Sequence, residues 1–336
     1  MASAGGESIE KLEDMIVRAA ETTAAHVRAA KDAIGTVIFG QEQVVERAII
    51  TVLSGGHALL VGVPGLAKTK LVETMGIALG LDARRVQFTP DLMPSDILGS
   101  EVLEENSAGK RSFRFIPGPV FAQLLMADEI NRASPRTQSA LLQAMQEQHV
   151  TVAGARHDLP KPFHVLATQN PLEQEGTYPL PEAQLDRFIM EIDVDYPDIV
   201  AERKILFDTT GAEDSQAKAA MTSEDLLSAQ RLVRRLPVGE SVVEAILQLV
   251  RSARPGEEAG DLGRLISWGP GPRASQALML AVRARALLDN RFAPSIDDVL
   301  ELAEPVLKHR MALTFAARAE GETVGNVIKR LKSRIG

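Results

Sequence analysis

The pattern of hydrophobic and polar positions changes near residue 199. Before that point, short apolar runs alternate with stretches whose apolar residues recur every three or four positions, which predicts strands alternating with helices. The predicted strands lie at 58–61, 86–89, 120–126 and 163–168. Beyond residue 199 the pattern is helical and predicts no further strand. We therefore expect an α/β domain, residues 1–199, followed by an all-helical domain, residues 200–336.

Helices and two hairpins complete this prediction. In the first domain we expect helices at 9–33, 43–54 and 137–148, together with one that begins after Thr69. In the second domain they are expected at 199–207, 223–234, 240–253, 273–289, 296–305 and 323–334. Loose alternation predicts one hairpin with arms 101–103 and 112–116 around a tip at 107–110, and another between 150 and 159.

The first predicted strand leads directly into a loop of glycine and proline. Residues 57–69 read His-Ala-Leu-Leu-Val-Gly-Val-Pro-Gly-Leu-Ala-Lys-Thr. A strand, a glycine loop, Lys-Thr and a helix in this order form a phosphate cradle, because loop N–H groups and the positive helix N-terminus face the anion. Lys68 is predicted to reach the terminal phosphates, and the Thr69 hydroxyl to hold Mg²⁺.

One position departs from the usual form of this loop. The residue before the lysine is normally glycine, and here it is Ala67. Because we place Ala67 at the start of the helix, we expect that no positive φ is needed there. A Gly-Pro-Gly turn by itself would indicate only an ordinary strand–turn–helix connection. The Lys-Thr pair at the expected spacing after it is what favours a phosphate-binding loop.

Polar residues follow the third and fourth predicted strands. Asp128 and Glu129 come after one, and Asn170 after the other. Because the carboxyl ends of parallel strands meet at one sheet edge, we expect all three beside the phosphate loop. There Asp128 is suited to bind Mg²⁺ through its water shell, Glu129 to act as general base on water, and Asn170 to orient that water. Taken alone, the acid pair fits a solvated loop equally well. His164, inside an apolar strand, is expected to be structural.

Three further segments allow two interpretations each. Residues 37–41, with Phe39 and Gly40, are either a plain connector or a hinge that touches adenine from outside the cradle. Arg187 either pairs locally with Asp186 or reaches the nucleotide of a neighbouring subunit, where it would neutralise charge on the transferring phosphoryl group. Arg273 lies in the first turn of a helix, where a cation is disfavoured, which indicates an anionic partner: a carboxylate or a phosphate.

Composition narrows the class of protein. The net charge of −8 disfavours a dedicated duplex-DNA binder. The absence of cysteine excludes disulfides, thiol catalysis and thiolate metal sites. The N-terminal residues do not resemble a signal peptide, and no apolar run is long enough for an integral membrane segment. From these observations we expect a cytoplasmic protein.

Five segments together resemble, in order, the motifs of the AAA+ ATPases and, within them, of the MoxR family. They are Gly62–Thr69, Ala127–Ala133, Ala167–Pro171, Pro181–Phe188 and Gly271–Ser275. The resemblance extends from about residue 35 to the C-terminus, and Ala67 is usual in this family. It implies an AAA+ P-loop NTPase core with a parallel five-stranded sheet flanked by helices, plus a C-terminal all-α lid domain.

The resemblance also implies roles for individual residues. Glu129 and Asp128 form the Walker B pair, Asn170 is sensor 1, Arg187 is an arginine finger and Arg273 is sensor 2, acting on its own or a neighbour's nucleotide. The metal ligands would be Thr69 and Asp128. The residues expected to bind ATP or ADP are Gly62, Val63, Pro64, Gly65, Leu66, Ala67, Lys68, Thr69, Lys70, Asp128, Phe39 and Gly40.

At the level of the whole protein, the resemblance implies a homo-oligomer, a hexameric ring whose two hairpins face the central pore. It further implies a chaperone-like activity that remodels, assembles or activates a client protein complex, often a metalloenzyme, with a von Willebrand factor A-domain partner. Two alternatives remain open. One is a nucleic-acid motor, against which the acidic balance and the lack of a basic-aromatic groove count. The other is a nucleotide-gated scaffold with little turnover, against which Glu129, Asn170 and Arg187 count.

Overall fold

The computed structural model describes residues 20–105, 111–173, 176–211 and 216–335. Helix α1 is described from residue 20 to 35, so the expected start of this helix at residue 9 lies outside the described residues. The elements that follow in the N-terminal part are α2 (Glu42–Leu53), β1 (Ala58–Val61), α3 (Lys68–Ala78), β2 (Ala83–Gln87), α4 (Pro94–Leu98), β3 (Gly99–Glu105), β4 (Arg111–Pro117), β5 (Leu124–Asp128), α5 (Pro135–Glu147), β6 (His149–Val152), β7 (Ala155–Asp158), β8 (His164–Gln169), α6 (Glu182–Leu185) and β9 (Met190–Asp193).

A five-stranded sheet with the order β2-β5-β8-β1-β9 forms the centre of the N-terminal part. All four strand pairings are parallel. Every residue of β5 is buried, as are five of the six residues of β8, since helices cover both faces of the sheet. All four strands predicted from the sequence are present, but β2 lies at Ala83–Gln87 where 86–89 was expected, and β5 at Leu124–Asp128 where 120–126 was expected. The fifth, β9, was expected only from the family resemblance, although Met190, Ile192 and Val194 alternate with acidic residues and are buried, a pattern typical of a strand.

Strand register determines where the polar residues come together. Val61 at the end of β1 is paired with Gln169 at the end of β8, and Gln87 at the end of β2 is paired with Asp128. The carboxyl ends of these strands therefore form one edge. The phosphate loop leaves the sheet at that edge, as expected for ligand sites in open α/β sheets.

Both predicted hairpins are present as antiparallel pairs, β3 with β4 and β6 with β7. The expected tip of the first, 107–110, lies outside the described residues. The two hairpins contact each other, because the rings of Phe115 on β4 and His157 on β7 stack with their centroids 3.8 Å apart. Further along β4, Phe113 is 69% exposed.

The C-terminal part is mainly helical. Its elements are α7 (Ile199–Thr210), α8 (Ser223–Arg235), α9 (Glu240–Ser252), β10 (Ile266–Trp268), α10 (Pro272–Leu288), α11 (Ile296–Leu307), β11 (Ala312–Leu313), α12 (Phe315–Ala319) and α13 (Val324–Lys332). The expectation that no strand follows residue 199 was wrong, since β10 and β11 pair antiparallel. Strands of three and two residues are too short to show an alternating pattern.

The helices of the C-terminal part pack on the N-terminal part through a shared core. One hydrophobic cluster includes Ile50 of α2, Met75 of α3, Val233 of α8 and Leu278 of α10, each at most 1% exposed. Burial of such side chains is worth roughly 1.5–3 kcal/mol each, so this contact holds the two parts firmly together. The domain boundary at 199/200 stays a prediction.

Two buried histidines join the sheet to its surroundings as neutral side chains. His164 donates from Nδ1 to the carbonyl of Gly56, and its Nε2 lies 3.0 Å from the amide nitrogen of Gln230. His57 accepts the N–H of Val165 at Nδ1. Burial lowers the pKa of His57 to about 3 and that of His164 to about 4. This arrangement agrees with the structural role expected for His164.

These histidines should make stability depend on pH. The unfolded chain takes up a proton at each near pH 6.5, whereas the folded chain resists protonation down to about pH 4 at His164 and about pH 3 at His57. In this range the unfolded state binds more protons than the folded state. The free energy of unfolding should therefore fall as the pH is lowered from 6.5 to 4, by up to about 1.4 kcal/mol per pH unit for each histidine. Urea unfolding at pH 7, 6 and 5 tests this, and His164→Asn should reduce the slope. A constant free energy over that range would contradict the prediction.

Candidate nucleotide site

The phosphate loop occupies residues 62–67, between β1 and α3. Nζ of Lys68 donates to the carbonyls of Gly62 and Val63, at 2.7 Å each, and so turns back over the loop. A Cβ on Gly62 would lie 2.5 Å from the carbonyl oxygen of Val194, so only glycine fits there. Gly65 has a φ of +86°, in the region that favours glycine.

Ala67 behaves differently from what the sequence led us to expect. It is the residue just before α3 and has φ 55° and ψ 21°, the left-handed conformation. The expectation that no positive φ is needed there was wrong. The chain turns sharply from the loop into the helix, and alanine adopts this conformation at a cost of roughly 1–2 kcal/mol. The glycine usual at this position therefore has a conformational reason.

Asp128 lies at the end of β5, with a relative exposure of 8%. Its Oδ2 accepts from Nε and Nη2 of Arg85, at 3.1 and 2.6 Å, and its Oδ1 accepts from the Thr168 hydroxyl at 2.6 Å. The same hydroxyl accepts the backbone N–H of Glu129 at 2.8 Å. Thr168 therefore links β8 to both acids.

Glu129 turns away from the strand with φ 56°, again left-handed. Its Oε2 accepts from Nε2 of Gln87 at 2.8 Å and from Nη1 of Arg132 at 3.1 Å. Backbone strain at a polar residue of this kind is common at functional sites. The two donors leave the carboxylate at a fixed place beside Asp128.

These partners were missed in the sequence reading. Arg85 and Gln87 stand two residues apart on β2, and so on one face of the strand. The strand predicted here began at residue 86 and so excluded Arg85, and its pairing with β5 was not predicted. Arg132 and Thr168 belong to segments already noted, and no sequence signal singled them out.

A cavity of about 480 Å³ brings the predicted groups together, within the size range of ligand pockets. Its lining includes residues 64–70, Asp128, Glu129 and Asn170, besides Arg85, Gln87 and Thr168. Asn170 is 5% exposed, and its Oδ1 accepts the N–H of Leu172. Residues 64–69 of the predicted phosphate loop thus share one site with Asp128, Glu129 and Asn170.

A second cavity, of about 420 Å³, shares residues 65–67 and Lys70 with the lining of the first. Phe39 lines it together with Leu66, Pro197 and Ile205, an apolar setting suited to a nucleobase. Gly40 is not one of the described residues that line it. A Cβ there would lie 2.4 Å from Cβ of Ala201, so Gly40 instead lets the 37–41 segment pack on α7.

Arg187 and Arg273 lie in neither cavity. They share a third, of about 230 Å³, with Asp186, Ala277 and Leu280 in its lining. Nη1 of Arg187 donates to the carbonyl of Leu142, and its Nε has no hydrogen-bond partner among the described residues. Nη1 of Arg273 is 3.8 Å from Oδ2 of Asp186. The structure thus brings the two predicted arginines together, but away from the phosphate loop of their own chain.

The chemistry of the first cavity fits a triphosphate with Mg²⁺. Burial lowers the pKa of the Lys68 amino group, and the charges of Asp128 and Glu129 oppose that shift. A cation in this position can pair with phosphate. Mg²⁺ prefers oxygen ligands and usually binds one or two carboxylates together with substrate phosphates and water. Thr69 and Asp128 supply such oxygens. The described residues hold no cluster of three or more metal-binding side chains that would suggest a separate, all-protein metal site.

Comparison with known proteins also supports a nucleotide site. Two family models match: the ATPase family associated with various cellular activities (AAA) over residues 57–190, and the AAA lid domain over residues 263–331. Chaperone MoxR1 of Mycobacterium tuberculosis is 42% identical, over 97% of this chain and 87% of the relative. Protein MoxR of Paracoccus denitrificans is 32% identical, over 89% and 92% respectively. The chain belongs to the MoxR family of AAA+ ATPases.

The fold of the family is also found in a solved structure. A crystal structure of a candidate ATPase from Cytophaga hutchinsonii is 36% identical and matches with a TM-score of 0.88, covering 96% of this chain and 98% of that one. The predicted AAA+ core with its five-stranded parallel sheet and helical lid is therefore confirmed, apart from the small β10–β11 pair. MoxR-family membership implies nucleotide binding and ATP hydrolysis in general terms. In the described ranges, the helices are all too short or too polar to cross a bilayer.

Proposed function

We propose that this chain hydrolyses ATP to ADP and phosphate with Mg²⁺ at the cavity formed by the phosphate loop, Asp128, Glu129 and Asn170. The observation that supports this most is that one cavity contains all of these groups. Lys68 and the loop N–H groups would bind the phosphates, and Thr69 and Asp128 would hold the metal, which would neutralise phosphate charge. Glu129 takes a proton from the attacking water, and Asn170 orients that water.

We further propose that the chain acts as a homo-oligomeric ring, with six subunits as the expected number. Arg187 and Arg273 share a cavity that is separate from the phosphate loop of their own chain. In a ring, this cavity would cover the nucleotide of the neighbouring subunit, so that both arginines act in trans. An arginine supplied in this way stabilises charge on the transferring phosphoryl group.

The biological role we propose is remodelling, assembly or activation of a client protein complex, with a von Willebrand factor A-domain protein as partner. Support comes from the relative named Chaperone MoxR1. The hairpins β3–β4 and β6–β7 would face the pore, and the exposed Phe113 would be available to a client there. A metalloenzyme is the expected kind of client, and the cytoplasm, where ATP is plentiful, is the expected location.

Assembly with nucleotide is the experiment that tests the ring. With ATP and Mg²⁺, and Glu129→Gln present to prevent turnover, light scattering should report about six times the mass of one chain, 36.3 kDa. Arg187→Ala should bind ATP like the parent but lose roughly 10³-fold or more in turnover, because every phosphate loop is unchanged while every site lacks the arginine that its neighbour supplies. A protein that stays monomeric with ATP and Mg²⁺ would contradict the proposal, since Arg187 would then have no nucleotide to reach.

A further inference from the structure

A short turn of the lid reaches into the core beside Arg187. It consists of Lys308, His309 and Arg310, between α11 and β11. Lys308 pairs with Glu191 and Asp193 on β9, the strand next to β1. Lys308 thus ties the turn to the C-terminal end of the segment 186–193.

Arg310 uses all its hydrogen-bonding capacity in this contact. It is 2% exposed, and its five N–H donors meet five acceptors. Four acceptors belong to residues 186–189: Oδ1 and the carbonyl of Asp186 at 2.7 and 3.2 Å, and the carbonyls of Phe188 and Ile189 at 2.6 and 3.1 Å. The fifth is the carbonyl of Val306.

Arg187 lies inside the segment that is held in this way. Three of the four contacts are to backbone carbonyls, so they fix the direction of the main chain and not only one side chain. His309 adds a further contact, with Nε2 3.0 Å from the Phe188 carbonyl. A buried guanidinium is costly unless its donors are all satisfied, and a hydrophobic residue often stabilises a core as well. Stability alone therefore does not require an arginine here.

The carboxylate of Asp186 connects the same turn to Arg273. Its Oδ1 accepts from Arg310, while its Oδ2 faces Nη1 of Arg273 at 3.8 Å. The carboxylate of Asp186 thus lies between Arg310 and Arg273. The side chain of Arg273 is half exposed, so its contact with Asp186 leaves it free to meet a phosphate.

We propose that Arg310 is a positioning residue, which, through Asp186 and the 186–189 backbone, aims Arg187 and Arg273 at the neighbour's nucleotide. This role rests on the proposed trans action of the two arginines. A lysine cannot replace Arg310, because its three donors on one nitrogen cannot reach acceptors spread around a planar fork. Loss of the fork would shift Arg187 without touching the phosphate loop of the same chain.

Arg310→Lys is the first test. ATP binding by this variant should stay within twofold of the parent, because its own phosphate loop is unchanged. Turnover of the assembled ring should fall about 10²-fold with little change in KM, as a displacement near 1 Å can cost that much. Arg291→Lys is the matched control. Arg291 also uses its guanidinium group for a contact in the lid, with the buried Asp298, and this contact does not involve residues 186–189. Arg291→Lys should therefore leave turnover unchanged.

Mixing subunits separates positioning from a folding defect. A subunit with Arg310→Lys has an intact phosphate loop and Glu129, and a subunit with Glu129→Gln has correctly placed arginines. Where the two are neighbours in a mixed ring, one site combines both intact halves, so mixed rings should regain turnover that neither variant has alone. Arg187→Ala mixed with Glu129→Gln serves as the reference. If the reference recovers and Arg310→Lys does not, or if Arg310→Lys alone turns over normally, the positioning role is wrong. If the reference also fails to recover, the trans action itself is refuted, and the positioning role with it.

A second variant covers the case in which Arg310→Lys does not fold. Asp186→Asn keeps the three backbone contacts of Arg310 and removes the charge between it and Arg273. It should show the same pattern, with unchanged ATP binding, reduced turnover and recovery with Glu129→Gln. Full turnover by Asp186→Asn would overturn the part assigned to Asp186.

Discussion

Glu129→Gln is expected to bind ATP as tightly as the parent and to lose about 10²–10⁴-fold in turnover, the usual contribution of a general base. Glutamine has the same shape, and its amide oxygen can still accept from Gln87 and Arg132, which hold the glutamate in place. It has no carboxylate to take the proton of the attacking water. Phosphate release under saturating ATP and Mg²⁺ measures turnover, and calorimetry measures binding.

A matched control separates this effect from a general loss of charge near the site. Glu173 is 3.4 Å from Nε of Arg132 and is not among the described residues that line the 480 Å³ cavity. Glu173→Gln should therefore leave turnover near the parent value. Equal turnover by Glu129→Gln and the parent would show that the base is assigned wrongly. Negligible turnover by the parent itself would favour the nucleotide-gated scaffold.

Lys68→Ala is expected to abolish most ATP binding. The ammonium supplies the positive charge nearest the predicted terminal phosphates, and charge-assisted hydrogen bonds are worth roughly 1.5–3 kcal/mol each. Two such bonds lost at the lower value weaken binding by about 100-fold, which corresponds to about 3 kcal/mol. Nζ also holds the carbonyls of Gly62 and Val63, so the loop itself should loosen.

Calorimetry with ATP and Mg²⁺ is the direct measurement for this variant. Lys31→Ala is a suitable control, since Lys31 pairs with Glu46, a contact between α1 and α2 outside the cavities that hold the nucleotide groups. It should bind ATP like the parent. Undiminished heat of ATP binding in Lys68→Ala would show that the triphosphate is not held by this loop.

Much of the site was predictable because each motif occupies one continuous stretch. The phosphate loop needs a strand, a turn and a helix start, and all three can be read between residues 57 and 69. Asp128, Glu129 and Asn170 could be placed because each follows a buried strand, and parallel strands share their carboxyl ends. The conformation of Ala67 could not be read, because alanine gives no sign of a positive φ.

The sequence by itself determined the local chemistry: a phosphate-binding loop, two acids, an amide and two arginines, each on an identifiable element. The tertiary structure decided which of these groups meet. Arg85 reaches Asp128 only because β2 lies beside β5, and β9 joins the sheet at its edge beside β1. Arg310 meets the segment of Arg187 across more than 120 residues of chain. Such contacts depend on strand order and on how the lid packs, and neither is encoded in the spacing of nearby residues.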